Sequence, residues 1–300
     1  MKKDTLLTKG EIINNTYEVV CYIGEGAFGE VYRVLHKHLG VQVLKVFKEN
    51  YVKNTTLEII TKEARILSKL THPNIVRVFE SNSYTKNNIE YYFITTDFIS
   101  GETLSRLLKR AGRLSVTQAL TIQMDYLSGL NYAHKQNPQI IHRDISPDNI
   151  LLSYEKSTVI AKLTDFGIAL TYDLMQSFPN AGGKLIYFAP ECFWNVYLPS
   201  SDIFSAGVIL YEMLTGYHPW QYNYDNTNEV DIETVIISAR KEPVNAPSYY
   251  NGNCDDELDK LVLKGLELDI THRYKSTNEY LDLIRQYYRT YIKSNTTNCT

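Results

Sequence analysis

The chain has 300 residues, 44% hydrophobic and 22% charged, with 31 Lys and Arg against 34 Asp and Glu for a net charge of -3. That length can bury a substantial core and fits one large domain or two lobes sharing a site; the composition excludes a disordered or fibrous chain. A nearly balanced charge gives no general field for a polyanion, so nucleic-acid binding is not expected and any basic site must be local.

Cys21, Cys192, Cys254 and Cys299 are far apart and form no CxxC pair, which favours a reducing, cytoplasmic setting over a disulfide framework or zinc site. The opening MKKDTLLTKGEIINNTYEVV has no continuous apolar run and makes a poor secretion signal. The most apolar segment, IFSAGVILYEMLTG, is shorter than a membrane span and contains Glu212, with Asp202 just before it. It reads as a buried helix. The Asn-x-Thr triplets at Asn295 and Asn298 matter only in a glycosylating compartment.

In chain order, residues 1–16 form an extension. YEVVCYIGEGAFGEVYRVLHK then predicts strand, glycine turn, strand, and VQVLKVF a third strand. In TLEIITKEARILSKLTHPNIV, Leu57, Ile60, Ala64 and Leu67 recur at helical spacing and Pro73 lies beyond the last turn, so one amphipathic helix is expected. Two further strands are expected in VRVFESNSY and IEYYFITTDFI. After SGETL the pattern becomes helical. This divides the chain into a small β-rich lobe (17–96), a hinge (97–101), a larger helical lobe (102–290) and a polar, frayed tail (291–300), an α+β architecture. Ser115 with Gln118, and Ser276 with Glu279, mark helix starts as capping boxes. LPSSDIFSAGVILYEMLTG is apolar on most sides, as a central helix would be.

GEGAFGEVY places Gly24, Gly26 and Gly29 as G-x-G-x-x-G between two strands. Glycines there let backbone amides approach phosphate oxygens. A dinucleotide site would follow the loop with a helix, so the strand EVYRVL disfavours a Rossmann reading. Lys45 sits inside an apolar strand and either meets an anion, for which Glu63 is available, or snorkels to water from a sheet edge.

With these pieces come HRDISPDN, DFG at Asp165 to Gly167, APE at Ala189 to Glu191, SDIFSAGVIL and Arg273. In this order and spacing the set resembles the eukaryotic-like serine/threonine protein kinase family from about Tyr17 to Tyr288. The resemblance implies a two-lobed fold around an ATP cleft, with ATP and Mg²⁺ (or Mn²⁺) as cofactors. It implies transfer of the γ-phosphate to Ser or Thr hydroxyls of protein substrates, the chain itself included through self-association. Lys45 would contact the nucleotide phosphates and pair with Glu63; Asp165 and Asn149 would bind metal; Asp144 would orient the substrate hydroxyl. The implied nucleotide pocket takes Gly24, Glu25, Gly26, Gly29, Val31, Val43, Lys45, Glu63, Thr96, Asp97, Ile99, Leu151 and Asp165, with Thr96 as gatekeeper and backbone groups of Asp97 and Ile99 facing adenine. His142, Phe166 and Leu67 would stack as structural residues, Glu191 and Arg273 would form a buried ion pair, and Asp202 would hold the catalytic loop.

Three positions depart from the family pattern. Ser146 stands where a lysine usually neutralises the γ-phosphate, Lys184 stands where a threonine usually precedes the APE segment, and Val43 replaces the alanine above adenine. The expectation is that the lysine has been relocated, Lys184 reaching Asp144 and the γ-phosphate while Ser146 takes the hydroxyl role. The alternative is an attenuated or inactive kinase serving as a nucleotide-binding switch or scaffold, and a second alternative is a small-molecule phosphotransferase of related fold. Arg143 would answer a phosphate on Thr171, Tyr172 or Ser177.

Overall fold

The computed structural model describes residues 5–26, 29–47, 66–155, 158–166, 182–222 and 232–297. The small lobe is a six-stranded antiparallel sheet in the order β1-β2-β3-β4-β6-β5. Its strands are β1 (Ile12–Ile13), β2 (Tyr17–Glu25), β3 (Gly29–His36), β4 (Gly40–Phe47), β5 (Val78–Lys86) and β6 (Ile89–Asp97). The β-branched and aromatic runs read in the sequence supply β2 to β6. The two-residue β1 adds to them: Ile12 and Ile13 pair with Glu18 and Tyr17 across the tight turn at Asn14 and Asn15, both in the left-handed region.

Alternation along β4 sets the two faces of the sheet. Leu44 and Val46 enter a core with Leu7, Tyr17, Tyr32, Tyr84 and Phe93, so the N-terminal extension covers the outer face instead of trailing free. Lys45 faces the other way, between Val31 on β3 and Ile94 on β6.

Of the predicted helix over residues 57–67, only Ile66 and Leu67 are described, and both are helical. Glu63, Gly167 and the proposed phosphate acceptors Thr171, Tyr172 and Ser177 lie outside the described residues.

The larger lobe begins with β7 (Gly101–Thr103), which pairs with β8 (Ile150–Glu155) and through it with β9 (Thr158–Leu163). Its described helices are α1 (Leu104–Ala111), α2 (Val116–His134), α3 (Gly182–Leu185), α4 (Pro199–Thr215), α5 (Ile232–Ala239), α6 (Pro247–Tyr250), α7 (Asp256–Gly265) and α8 (Thr277–Thr297). The Ser115–Gln118 capping box at α2 is complete. At α8 Ser276 Oγ caps Glu279 N at 3.1 Å, but the Glu279 carboxylate takes the amide of Lys275 and leaves a half box.

α4 is the lobe's axis. Pro199 occupies its first turn, nearly every residue from Ser201 to Thr215 is buried, and Gly216 closes it at φ 80°. The predicted polar tail is helical as far as Thr297. The reason is an aromatic stripe: Tyr287 stacks on Tyr291 at 5.9 Å, and Tyr291 packs on the main core, so the apolar face outlasts the change to polar composition. No helix among the described residues is long and apolar enough to cross a membrane.

Candidate active site

The lobes face each other across a cavity of about 500 Å³. Its roof comes from β2, β3 and β4, its floor from the loop 142–149 and its back wall from Leu67, Val78 and Phe166.

The floor is held by one buried acid. Asp202, near the start of α4, accepts the backbone amides of His142 at 2.8 Å and Arg143 at 3.0 Å, and His134 Nε2 lies 2.8 Å from the same carboxylate. His142 is fully buried, with Nε2 3.0 Å from the Thr164 carbonyl while Nδ1 accepts the amide of Asp144 at 3.3 Å. Burial pushes its pKa down against the pull of Asp202 and Asp144, so the ring is neutral. It packs on Phe166 with ring centroids 4.4 Å apart. Arg143 and Asp165 both have φ in the left-handed region, 67° and 53°. For non-glycine residues this is a strained arrangement of the kind that accumulates at working sites.

On this floor Asp144 is 3% exposed and receives two donors on one oxygen. Asn149 Nδ2 bonds Asp144 Oδ2 and the Asp144 carbonyl, each at 2.7 Å, and Lys184 Nζ also lies on Oδ2. Among the described residues no hydrogen bond falls on Oδ1. Burial lowers the pKa of Lys184, but Asp144 first and then Asp165 and Asp148 outweigh it and hold the ammonium charged. Lys184 and Asp144, expected from the sequence to meet, are therefore in contact. Ser146 takes no part in this contact: its Oγ is buried without a hydrogen-bond partner among the described residues, and Ser146 does not line the cavity.

Across the cleft Lys45 Nζ lies 3.0 Å from Asp165 Oδ2. Burial raises the Asp165 pKa, yet the Lys45 ammonium, supported by Lys184, keeps it below the usual carboxylate range. Of the two readings of Lys45, the anion-paired one describes this geometry.

The three loop glycines differ. A Cβ on Gly24 or Gly26 would meet nothing within 4 Å, and both line the cavity. A Cβ on Gly29 would sit 2.1 Å from the Val46 carbonyl, so that glycine permits close packing of β3 on β4.

Glu25, Val31 and Thr96 line the cavity as expected, whereas Val43, Asp97, Ile99 and Leu151 are half-buried outside it. Val43 is the direct cross-strand partner of Thr96, which puts it at the cavity's hinge edge. The sequence reading missed Ile23 on the roof, Thr103 at the end of β7, and Ser105, Arg106 and Lys109 along α1. Ile23, just before the first glycine, could have been found from strand alternation; the α1 residues carry no motif.

The Glu191–Arg273 pair joins the APE segment to the end of the lobe. It is bidentate at 2.7 and 2.9 Å, with the arginine side chain fully buried and Ser201 Oγ donating to Glu191 at 2.7 Å.

The family model for the protein kinase domain matches residues 17–282. The chain belongs to the protein kinase domain family. This kinase domain is 33% identical over 280 residues to a probable serine/threonine-protein kinase of Clostridium perfringens, covering 91% of this chain and 38% of that protein. It is 30% identical to calcium-dependent protein kinase 4 of Plasmodium falciparum, covering 91% of this chain and 51% of that one. The chain thus spans about half, or less, of the length of these curated relatives. Among solved structures, the PknI kinase domain of Mycobacterium tuberculosis superposes with a TM-score of 0.69 at 23% identity, covering 94% of this chain and 99% of that one. The kinase fold, with a β-sheet lobe and a helical lobe, is shared with it. Membership implies ATP and a divalent cation as the family's reactants and protein as its substrate.

Proposed function

We propose that this kinase domain transfers the γ-phosphate of ATP, with Mg²⁺ or Mn²⁺, to serine and threonine hydroxyls of proteins, itself included. The observation that carries this reading is the convergence of Asp144, Asn149, Lys184, Lys45 and Asp165 on one cleft.

The donor set fits the reactants. Asn149 has its amide nitrogen committed to Asp144, so its Oδ1 remains for a cation, and the Asp165 carboxylate supplies a second hard oxygen. No cluster of three or more His, Cys, Asp or Glu able to hold a metal occurs among the described residues. That suits an ion bound through one carboxylate, one amide and phosphate oxygens. Gly24 and Gly26 leave the roof open for phosphates. When bound, the metal–nucleotide complex supplies the phosphoryl group and neutralises part of its charge.

The chain's own groups position and stabilise. Asp144 Oδ1 accepts the hydrogen bond of the acceptor hydroxyl and aims its oxygen, while Lys184 and Asn149 hold the carboxylate through Oδ2. Lys45 would hold the nucleotide's phosphates, and its ammonium keeps Asp165 ionised. Lys184, beside Asp144 in the same cavity, would supply the cation that Ser146 cannot. The free thiols of Cys21, Cys192 and Cys254 are in keeping with a reducing, cytoplasmic location.

Incubation with γ-labelled ATP and a mixed protein substrate tests the reading. Phosphoserine and phosphothreonine, without phosphotyrosine, are expected from the wild type and not from Asp144→Asn. Label on tyrosine, or equal label from both proteins, overturns it.

A further inference from the structure

The segment that carries Lys184 is gripped by a residue outside every motif read in the sequence. Arg240 follows the last turn of α5, where its amide donates to the Ile236 carbonyl at 3.1 Å. The residue is 5% exposed, and its Nη2 donates to the Ile186 carbonyl at 2.8 Å. The guanidinium lies 5.0 Å from the ring centre of Phe204, 5.4 Å from Trp220 and 5.9 Å from Phe193. Among the described residues no carboxylate pairs with it, and burial draws its pKa down against the Tyr222 phenol. A buried cation without an acid is costly, and an apolar side chain would fill the same aromatic cage without that cost. Such a side chain could not hold the carbonyl.

That carbonyl belongs to the peptide group joining Ile186 to Tyr187. The amide on the other side of the same planar group donates to the Lys184 carbonyl at 3.0 Å and closes the turn that starts at Lys184. The next carbonyl, of Tyr187, takes Ser205 Oγ of α4 at 2.7 Å, and the Tyr187 hydroxyl donates to Glu212 at 2.8 Å. Tyr187 is therefore fixed by α4, while Arg240 fixes the peptide plane on which the Lys184 backbone hangs. From that backbone the Lys184 side chain reaches Asp144.

We infer that Arg240 is a positioning residue for phosphoryl transfer, holding the Ile186–Tyr187 peptide so that Lys184 meets Asp144. The inference rests on the role given to Lys184 in the kinase reading above. Without the clamp the peptide is free to turn, and Lys184 leaves the acid for part of the time. The loss falls on kcat, since the clamp touches neither nucleotide nor acceptor and acts only through the lysine.

Two readouts on the full chain test it. The first is kcat in a double-mutant cycle of Arg240→Met and Lys184→Met, methionine filling the aromatic cage while removing the donors. Alone, Arg240→Met should lower kcat roughly tenfold with KM for ATP little changed; in the Lys184→Met background it should change kcat by less than about twofold. A purely structural loss would lower both backgrounds alike, through the folded fraction. The second readout needs no transfer. Acetic anhydride labels uncharged lysine amines, and peptide masses after digestion report Lys184 against the exposed Lys260. Asp144 holds Lys184 charged and slow to label, so Arg240→Met should speed its labelling roughly fivefold relative to Lys260. Should Arg240→Met fail to fold, Arg240→Lys keeps the charge and loses the planar fork, and the same two shifts are expected at smaller size. Losses in kcat that multiply across the cycle, or unchanged Lys184 labelling in the folded variant, overturn the inference. A wild type that modifies no substrate counts against the kinase reading alone, because labelling still decides the clamp.

Discussion

Lys184 Nζ rests on Oδ2 of Asp144 although the two residues are 40 positions apart and belong to different segments of the large lobe. In the family pattern the cation beside the catalytic acid stands two residues after it, where this chain has Ser146. Here a positively charged group reaches the same acid from the segment that leads into Ala189–Glu191.

If Lys184 is the relocated cation, its loss should resemble the loss of a charged transition-state donor. Lys184→Met should lower kcat by roughly 100- to 1,000-fold while nucleotide affinity changes little. The exchange Ser146→Lys with Lys184→Thr should recover much of the rate. Wild-type turnover in Lys184→Met contradicts the assignment.

The loop glycines should separate by assay. Gly29→Ala pushes a methyl against the Val46 carbonyl and should destabilise the fold by about 1–3 kcal/mol or more, read in urea melts. Gly26→Ala meets no protein atom and should keep stability while weakening ATP binding. Equal stabilities for the two variants would remove the structural role assigned to Gly29.

Arg273 has no exposed side-chain surface and two bonds to Glu191. Arg273→Met leaves the half-buried Glu191 carboxylate without its cation, with a cost of up to about 3–5 kcal/mol, and activity should fall together with the folded fraction. A stable but inactive variant would place Arg273 in the chemistry instead.

Stability should fall on mild acidification. Burial lowers the pKa of His72, His142 and His218, the last to about 3 with the help of Arg240. Each is neutral in the native state near pH 7, and unfolding lets it bind a proton once the pH drops below about 6.5. The native state therefore holds its full histidine contribution above that pH and loses it as pH falls toward each native value. His218 alone contributes about 1.4 kcal/mol per pH unit over most of that window. Melts between pH 7 and 5 check this, and His218→Phe should flatten the slope. A stability that rises on acidification runs against it.

Much of this was legible because it rests on local rules. Strand alternation marked β2 to β6, capping residues marked α2, and motif spacing brought Lys45, Asp144, Asn149 and Asp165 to one cleft. The contact between Lys184 and Asp144 could be anticipated because two departures from one pattern were complementary. What the sequence hid depends on tertiary placement. β1 forms from only two isoleucines because Asn14 and Asn15 turn the chain back. α8 runs on because Tyr291 finds the core. Arg106 and Lys109 look like an ordinary solvated helix face until α1 is laid along the cleft. Gly29 resembles its neighbours in sequence and differs only in the strand packed against it.

Whether this cleft transfers phosphate with Lys184 in place of the usual lysine is decided by the intact mass of the purified protein before and after incubation with MgATP, with Asp144→Asn and Lys184→Met in parallel. Added phosphate units are expected on the wild type, none on Asp144→Asn and strongly slowed addition on Lys184→Met. Equal addition on wild type and Asp144→Asn, or none on the wild type with its peptide substrates also left unmodified, would contradict the kinase reading.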